Sequence, residues 1–317
     1  MDIPEGLKDS INRLLSENKV SNIIENAQTI SNRYRKNDGK GKRLLTNESE
    51  AVSYVISRMP ATYAAVYSAF KQILANYNEK MTSLLDVGAG TGAGTWAVNE
   101  INNINQITCL EREKSMIDIG RKLMKNTVLD NVQWKSYDIL QDEIVEKADI
   151  VLTSYMINEL PEQEREKAVL KLWQATDKLM VVIEPGTPEG FKNILNIRNL
   201  IKEQGGYIVA PCCCNGECPI KENDWCAFYA RVARSSIHRQ AKGGNLGYED
   251  EKFSYIAFSK TPVEITGERI LRHPQINSGF VKVKLCTADG IQEKTYSKKD
   301  GEIYKKTKKL DAGEKIY

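Results

Sequence analysis

Beginning at Ser83, short apolar runs alternate with amphipathic stretches, the pattern of a parallel β-sheet joined by crossover helices. The runs are Leu84–Val87, Ile107–Leu110, Val132–Lys135, Ile150–Thr153, Met180–Ile183 and Tyr207–Ala210, with Phe253–Phe258 a seventh beyond an insertion at residues 211–252. Helices are expected between the first five. Ahead of the sheet, Leu7, Ile11, Leu14 and Leu15 fall on one helical face, and Ile23, Ile24, Ala27 and Ile30 on another. Arg35–Asn47 reads as a solvated linker; Ala51, Val55 and Met59 begin a further helix that Pro60 interrupts, and another covers Thr62–Tyr77. After Pro262, apolar and basic residues alternate, as in Phe280–Leu285, which predicts a small β extension. The expected organisation is an N-terminal helical segment (1–80), an α/β domain carrying the insertion (81–260) and a C-terminal β extension (261–317).

A chain of 317 residues with 41% hydrophobic and 27% charged residues is ordinary for a globular protein. The first residues, Met1–Leu14, contain no apolar run of signal-peptide type and nowhere do about 18 apolar residues follow one another, so the expectation is a cytoplasmic protein with no membrane partner. In a reducing compartment its seven cysteines, five of them between Cys212 and Cys226, read as metal ligands rather than disulfides. A net charge of +3 decides nothing about nucleic acid, so local clusters must.

Asp86-Val-Gly-Ala-Gly-Thr-Gly-Ala-Gly94 follows a strand and opens a helix, the setting of a nucleotide-binding glycine turn. Gly88, Gly90 and Gly92 admit a ligand close to the backbone, but they fit a dinucleotide as well as S-adenosylmethionine (SAM). Asp86 favours SAM: a carboxylate sits badly against a pyrophosphate and well beside cationic amino and sulfonium groups. Glu111 ends the second strand, where an acid accepts hydrogen bonds from ribose hydroxyls, and Asp138 follows the third, facing an adenine amino group; either acid reads equally as a solvated helix start. The expected fold is therefore α/β, the Rossmann-like class I SAM-dependent methyltransferase fold.

Methyl transfer requires a placed nucleophile and, where needed, a base. The end of the fourth strand offers Tyr155 for stacking and Asn158 or Glu159 for hydrogen bonding or proton removal, with helix capping the alternative for Asn158 and Glu159. The Asn/Asp-Pro-Pro-aromatic motif of many base N-methyltransferases is absent, and Glu184-Pro-Gly-Thr187 is a further candidate for the pocket wall.

Cys212, Cys218 and Cys226, with Cys213 and Cys214 beside the first, and Cys286 far downstream, suit an iron-sulfur cluster or zinc. The spacing alone leaves the metal open. Arg231, Arg234, Arg239 and Lys242, with His238, form a basic stretch suited to phosphates; the Lys-rich run Lys298–Lys309 is a second, and a solvated face is the alternative for both.

Asp224-Trp-Cys-Ala-Phe, Arg231-Val-Ala-Arg-Ser-Ser-Ile-His-Arg239, Lys242-Gly-Gly and Leu246-Gly-Tyr-Glu-Asp-Glu-Lys-Phe-Ser-Tyr255 closely resemble the Rsm22 family, over roughly residues 50 to 290. The resemblance implies a [4Fe-4S] cluster on Cys212, Cys218, Cys226 and Cys286, with Cys213 and Cys214 matching no ligand position. It also implies association with small-subunit ribosomal RNA during ribosome assembly. The leading expectation is a SAM-dependent methyltransferase-like protein, monomeric off the ribosome. The alternatives are an RNA-binding assembly factor without catalysis that senses iron-sulfur supply, and a small-molecule methyltransferase with a zinc site.

Overall fold

The computed structural model describes residues 1–36, 47–221 and 223–316; most of the expected linker at 35–47 lies outside the described residues. The chain opens on helices α1 (Glu5–Ser16), α2 (Val20–Lys36), α3 (Glu48–Ser57) and α4 (Met59–Leu74). The Asn47 side chain caps α3 by accepting the Glu50 N–H. Pro60 does not interrupt a helix but stands in the first turn of α4, where its missing N–H would have had no partner.

The sheet follows as β1 (Ser83–Val87), α5 (Ala93–Ile101), β2 (Gln106–Glu111), α6 (Lys114–Met124), β3 (Gln133–Ser136), β4 (Ala148–Ser154), α7 (Glu162–Ala175), β5 (Thr176–Pro185), α8 (Pro188–Glu203) and β6 (Tyr207–Ala210). The insertion contributes β7 (Phe228–Ala233) and α9 (Ser236–Lys242), and the sheet ends with β8 (Tyr248–Ser259). Among the described residues the sheet has eight strands in the order β3-β2-β1-β4-β5-β8-β6, with β7 on β8. The expectation of a wholly parallel sheet fails at β8, which runs antiparallel to β5, β6 and β7.

The expected helix between β3 and β4 is also missing. Asp138 and Asp142 there accept the N–H groups of Leu140 (3.0 Å) and Asp138 (2.8 Å), bonds that compete with a helix. The buried Lys171 ammonium of α7 then ties down the carbonyls of Ile139 (3.2 Å) and Asp142 (2.5 Å).

One face of the sheet packs the N-terminal helices: Leu7, Ala51 and Phe70 share a core with Leu84, Ile150 and Val181, so these helices are built into the α/β core. The other face holds Leu85, Val151 and Met180 against Leu172 and Trp173 of α7 and Ile197 of α8. Beyond the sheet come β9 (Glu268–Ile270), β10 (Gln275–Asn277), β11 (Phe280–Thr287), β12 (Gly290–Ser297), α10 (Glu302–Thr307) and β13 (Lys315–Ile316). The strands form a second sheet with its own small core, in which Val281, Val283 and Leu285 alternate inward along β11.

Candidate functional site

The carboxyl ends of β1, β2 and β4 frame a cavity of about 110 Å³ where the strand order reverses around β1. Ligands of open α/β sheets bind at this switch point. Its wall includes Gly88, Gly90, Glu111, Asp138, Tyr155 and Glu159, all anticipated, together with Tyr54, Glu113, Met116 and Met156, which were not. Glu113 carried a faint signal as a second acid two residues after Glu111. Tyr54 carried none, because it arrives from α3.

The glycine turn and the second strand hold each other. Glu111 Oε2 accepts the Gly90 N–H at 2.8 Å, Oε1 accepts the Glu113 N–H at 2.8 Å, and burial pushes the Glu111 carboxyl up. Gly88 has φ +70°, and a Cβ there would lie 2.8 Å from Met156 Sδ, so backbone and space both demand glycine. Gly92 starts α5 and faces Met124 and Trp134 rather than the cavity.

Asp86 does not reach the cavity wall. It is fully buried behind the turn, where Thr95 Oγ1 donates to its Oδ2 at 2.8 Å, while Oδ1 has no hydrogen-bond partner among the described residues. Burial pushes its carboxyl up to about 7. Asp138 lines the cavity with Oδ1 engaged by the Leu140 N–H.

At the end of β4, Tyr155 takes φ +60°, a conformation that non-glycine residues avoid and that concentrates at functional sites. Its hydroxyl donates to Glu251 at 3.0 Å, and Glu251 pairs with Arg58 at 3.5 Å. Glu159 faces the cavity, and burial, reinforced by the nearby Glu111 charge, pushes its carboxyl up to about 8. Asn158 points elsewhere: its N–H and the Asn193 amide hold the buried Glu184, which is likewise outside the cavity wall. Neither Asn158 nor Glu159 caps α7, which begins after Pro161 without a side-chain cap.

A second cavity brings the cysteines together. Cys212, Cys213, Cys214, Cys218 and Cys226 of the insertion and Cys286 of β11 all line it. Asp224, paired with Lys284 at 2.8 Å and with Arg272, ties the insertion to the second sheet beside them. All six thiols are free, and among the described residues no group of three or more His, Cys, Asp or Glu is arranged to hold a metal ion. Burial pushes the Cys212 and Cys226 thiols up, while a hydrogen bond from Cys286 draws Cys213 down to about 6.

Most of the basic stretch is neutralised. Arg231 binds Asp250 through two hydrogen bonds of 2.6 and 2.7 Å, and Arg234, His238 and Lys242 all converge on Glu249. Arg231 and Arg239 are both exposed, and among the described residues no ion pair neutralises Arg239. Lys298, Lys299, Lys308 and Lys309, around α10, are exposed too.

An open sheet of this order with a reversed β8, and a glycine turn after β1 clasped by the acid ending β2, define the class I SAM-dependent methyltransferase fold. Residues 48–316 match the model of the family described as mitochondrial small ribosomal subunit Rsm22, and the chain belongs to that family, as the segments from Asp224 to Tyr255 predicted. It is 26% identical over 281 residues to the human mitochondrial ribosome assembly protein METTL17, covering 81% of this chain and 59% of that protein. It is 22% identical to the mitochondrial Rsm22-cox11 tandem protein 2 of Schizosaccharomyces pombe, covering 89% of this chain and 44% of that protein. The chain therefore spans about half the length of the curated relatives it matches. Among solved structures it is similar to the SAM-bound magnesium protoporphyrin IX methyltransferase ChlM of Synechocystis PCC 6803, at 12% identity and a TM-score of 0.42, covering 73% of this chain and 90% of that one.

Proposed function

We propose that the chain is a SAM-binding, methyltransferase-like protein that works on small-subunit ribosomal RNA during ribosome assembly and holds an iron-sulfur cluster in its cysteine cavity. The carrying observation is the acidic wall beneath the glycine turn: Glu111, Glu113, Asp138 and Glu159 surround one cavity, with Arg112 the one cation among the described residues of its wall. Such a wall repels phosphates and favours a cationic ligand, as a sulfonium is. In this reading Glu111 and Asp138 orient the ligand and Gly88 and Gly90 admit it. Glu159 is the proton acceptor, competent once a neighbouring positive charge lowers its carboxyl.

The ribosomal role rests on family membership and on the human relative's name as a ribosome assembly protein. RNA contact is assigned to the exposed lysines around α10 and to Arg239.

For the metal, the donor set fits a cluster. Six soft thiols line this one cavity, and such donors suit an iron-sulfur centre. Cys212, Cys218, Cys226 and Cys286 would hold it, and when bound it supplies a cross-link between insertion and second sheet. A second reading, an assembly factor without methyl transfer, draws on Tyr155, whose hydroxyl is held by Glu251 rather than left for an acceptor.

The test is an anaerobic preparation of the full chain assayed together for SAM binding, iron, sulfide and co-purifying ribosomal RNA. Single-turnover transfer of labelled methyl to immature small subunits, abolished in Glu159→Gln, selects catalysis. SAM binding without transfer selects the second reading, and absence of SAM binding and RNA overturns both.

A further inference from the structure

We infer that Arg198 and Arg269 are the built-in counter-charge of a dianionic metal-thiolate centre in the cysteine cavity, and that Arg198 tunes the reduction potential of that centre. The inference rests on the cluster reading above and deepens it, because it concerns residues outside the cysteine motif.

Arg198 projects from α8, a helix of the main α/β core, into the cavity wall and is 3% exposed. Its Nη2 donates to the Gly216 carbonyl, while Nε and Nη1 have no hydrogen-bond partner among the described residues. The guanidinium lies against the Cys212 thiol. Arg269, 2% exposed on β9, donates to the carbonyls of Pro211 and Gly313 and to Gln72 Oε1. Every one of these acceptors is neutral, and among the described residues no carboxylate pairs with either arginine.

Arginine stays protonated at any ordinary pH. A buried charge without an opposite charge is costly, so two such guanidinia at one cavity demand a matching anion. The cavity is lined by six thiols and one acid, the exposed Glu217, and among the described residues no ion pair joins Glu217 to either arginine. Four thiolates around an oxidised [4Fe-4S] core carry a net charge of about −2, which equals and opposes the two guanidinia. A thiolate-bound zinc ion carries the same net charge, so the charge match holds for either metal. Arg198, whose positive charge lies against the Cys212 sulfur, then favours the more negative, reduced state of a cluster. Net charge and hydrogen bonds to the sulfurs are the levers that set such potentials.

The test compares the full chain, purified anaerobically, as wild type, Arg198→Lys and Arg198→Met. Iron and sulfide are counted per chain, the midpoint potential is read by a redox titration monitored by electron paramagnetic resonance, and melting temperatures are taken with and without metal. Arg198→Lys is expected to keep the wild-type iron content and potential. Arg198→Met is expected to show a lower potential, and a metal-free form that melts above metal-free wild type, so that loading raises its melting temperature by less. A Met variant that fails to load supports the inference if the Lys variant loads, and overturns it if neither does. A loaded Met variant with the wild-type potential and the wild-type gain in melting temperature overturns the arginine assignment and leaves the cluster standing. Zinc without sulfide in the wild type removes the cluster reading, and the melting temperatures then decide the arginines alone. Wild type holding no metal overturns both.

Discussion

Glu111 Oε2 accepts the backbone N–H of Gly90 at 2.8 Å, joining the acid that ends one strand to the turn that follows its neighbour. The same carboxylate faces the cavity, so one side chain shapes the turn and lines the proposed SAM site. Hydrogen bonds to a charged group contribute about 1.5–3 kcal/mol. Glu111→Ala is therefore expected to weaken SAM binding by roughly tenfold or more, with Glu111→Gln intermediate, in a calorimetric titration. Equal affinities in all three proteins would remove Glu111 from the site.

Gly88→Ala meets two obstacles, the φ of +70° and Met156 Sδ at 2.8 Å from the new Cβ. A loss of about 1–3 kcal/mol is expected in denaturant unfolding. Adding Met156→Ala removes the Sδ and Cγ contacts but leaves the Met156 Cβ at 3.0 Å and the dihedral, so the double variant should recover only part of the loss measured against Met156→Ala alone.

Glu159, with its carboxyl pushed up to about 8, is mostly protonated at pH 7 while the cavity is empty. A cation binds the ionised form better, so SAM affinity should rise with pH and flatten above about 8, with proton uptake by the buffer at pH 7. Titrations in buffers of different ionisation enthalpy read this directly. In Glu159→Gln the rise attributable to this group should vanish.

Asp86 carries a different pH signature. Its folded carboxyl titrates at about 7 against an unfolded value of 3.8, so the folded state keeps a proton that the unfolded chain releases. Stability from this group is full below about pH 4 and is lost as pH rises to about 7, by at most about 1.4 kcal/mol per pH unit. Asp86→Asn should gain on wild type across that window in melting experiments. A constant difference between pH 4 and 7 would contradict the burial argument.

RNA affinity should separate the two basic regions. Replacing Lys298, Lys299, Lys308 and Lys309 by Gln is expected to weaken binding to small-subunit ribosomal RNA and flatten its salt dependence. Arg231→Ala, which removes a guanidinium already bound to Asp250, should leave both nearly unchanged.

The strands were legible because β-branched and apolar runs between turns are local properties, and Tyr207–Ala210 was marked to the residue. The glycine turn was legible for the same reason, since positive φ and close approach select glycine whatever surrounds it. The string from Asp224 to Tyr255 sufficed for the family.

Partnerships across the fold were beyond reach of any local pattern. Arg231 looked like a phosphate contact until the antiparallel register of β7 on β8 set it opposite Asp250, nineteen positions along the chain. Asp86 sat in a binding motif, yet the packing of α5 enclosed its carboxylate and Thr95 bonded it. Arg198 was one more polar residue on an amphipathic helix until folding brought it against a thiol encoded fourteen residues later, in a cavity that a thiol of the second sheet also lines. Periodicity and turn chemistry depend on neighbours in the chain, whereas which charge meets which is set by register and helix packing, and these exist only once the chain has folded.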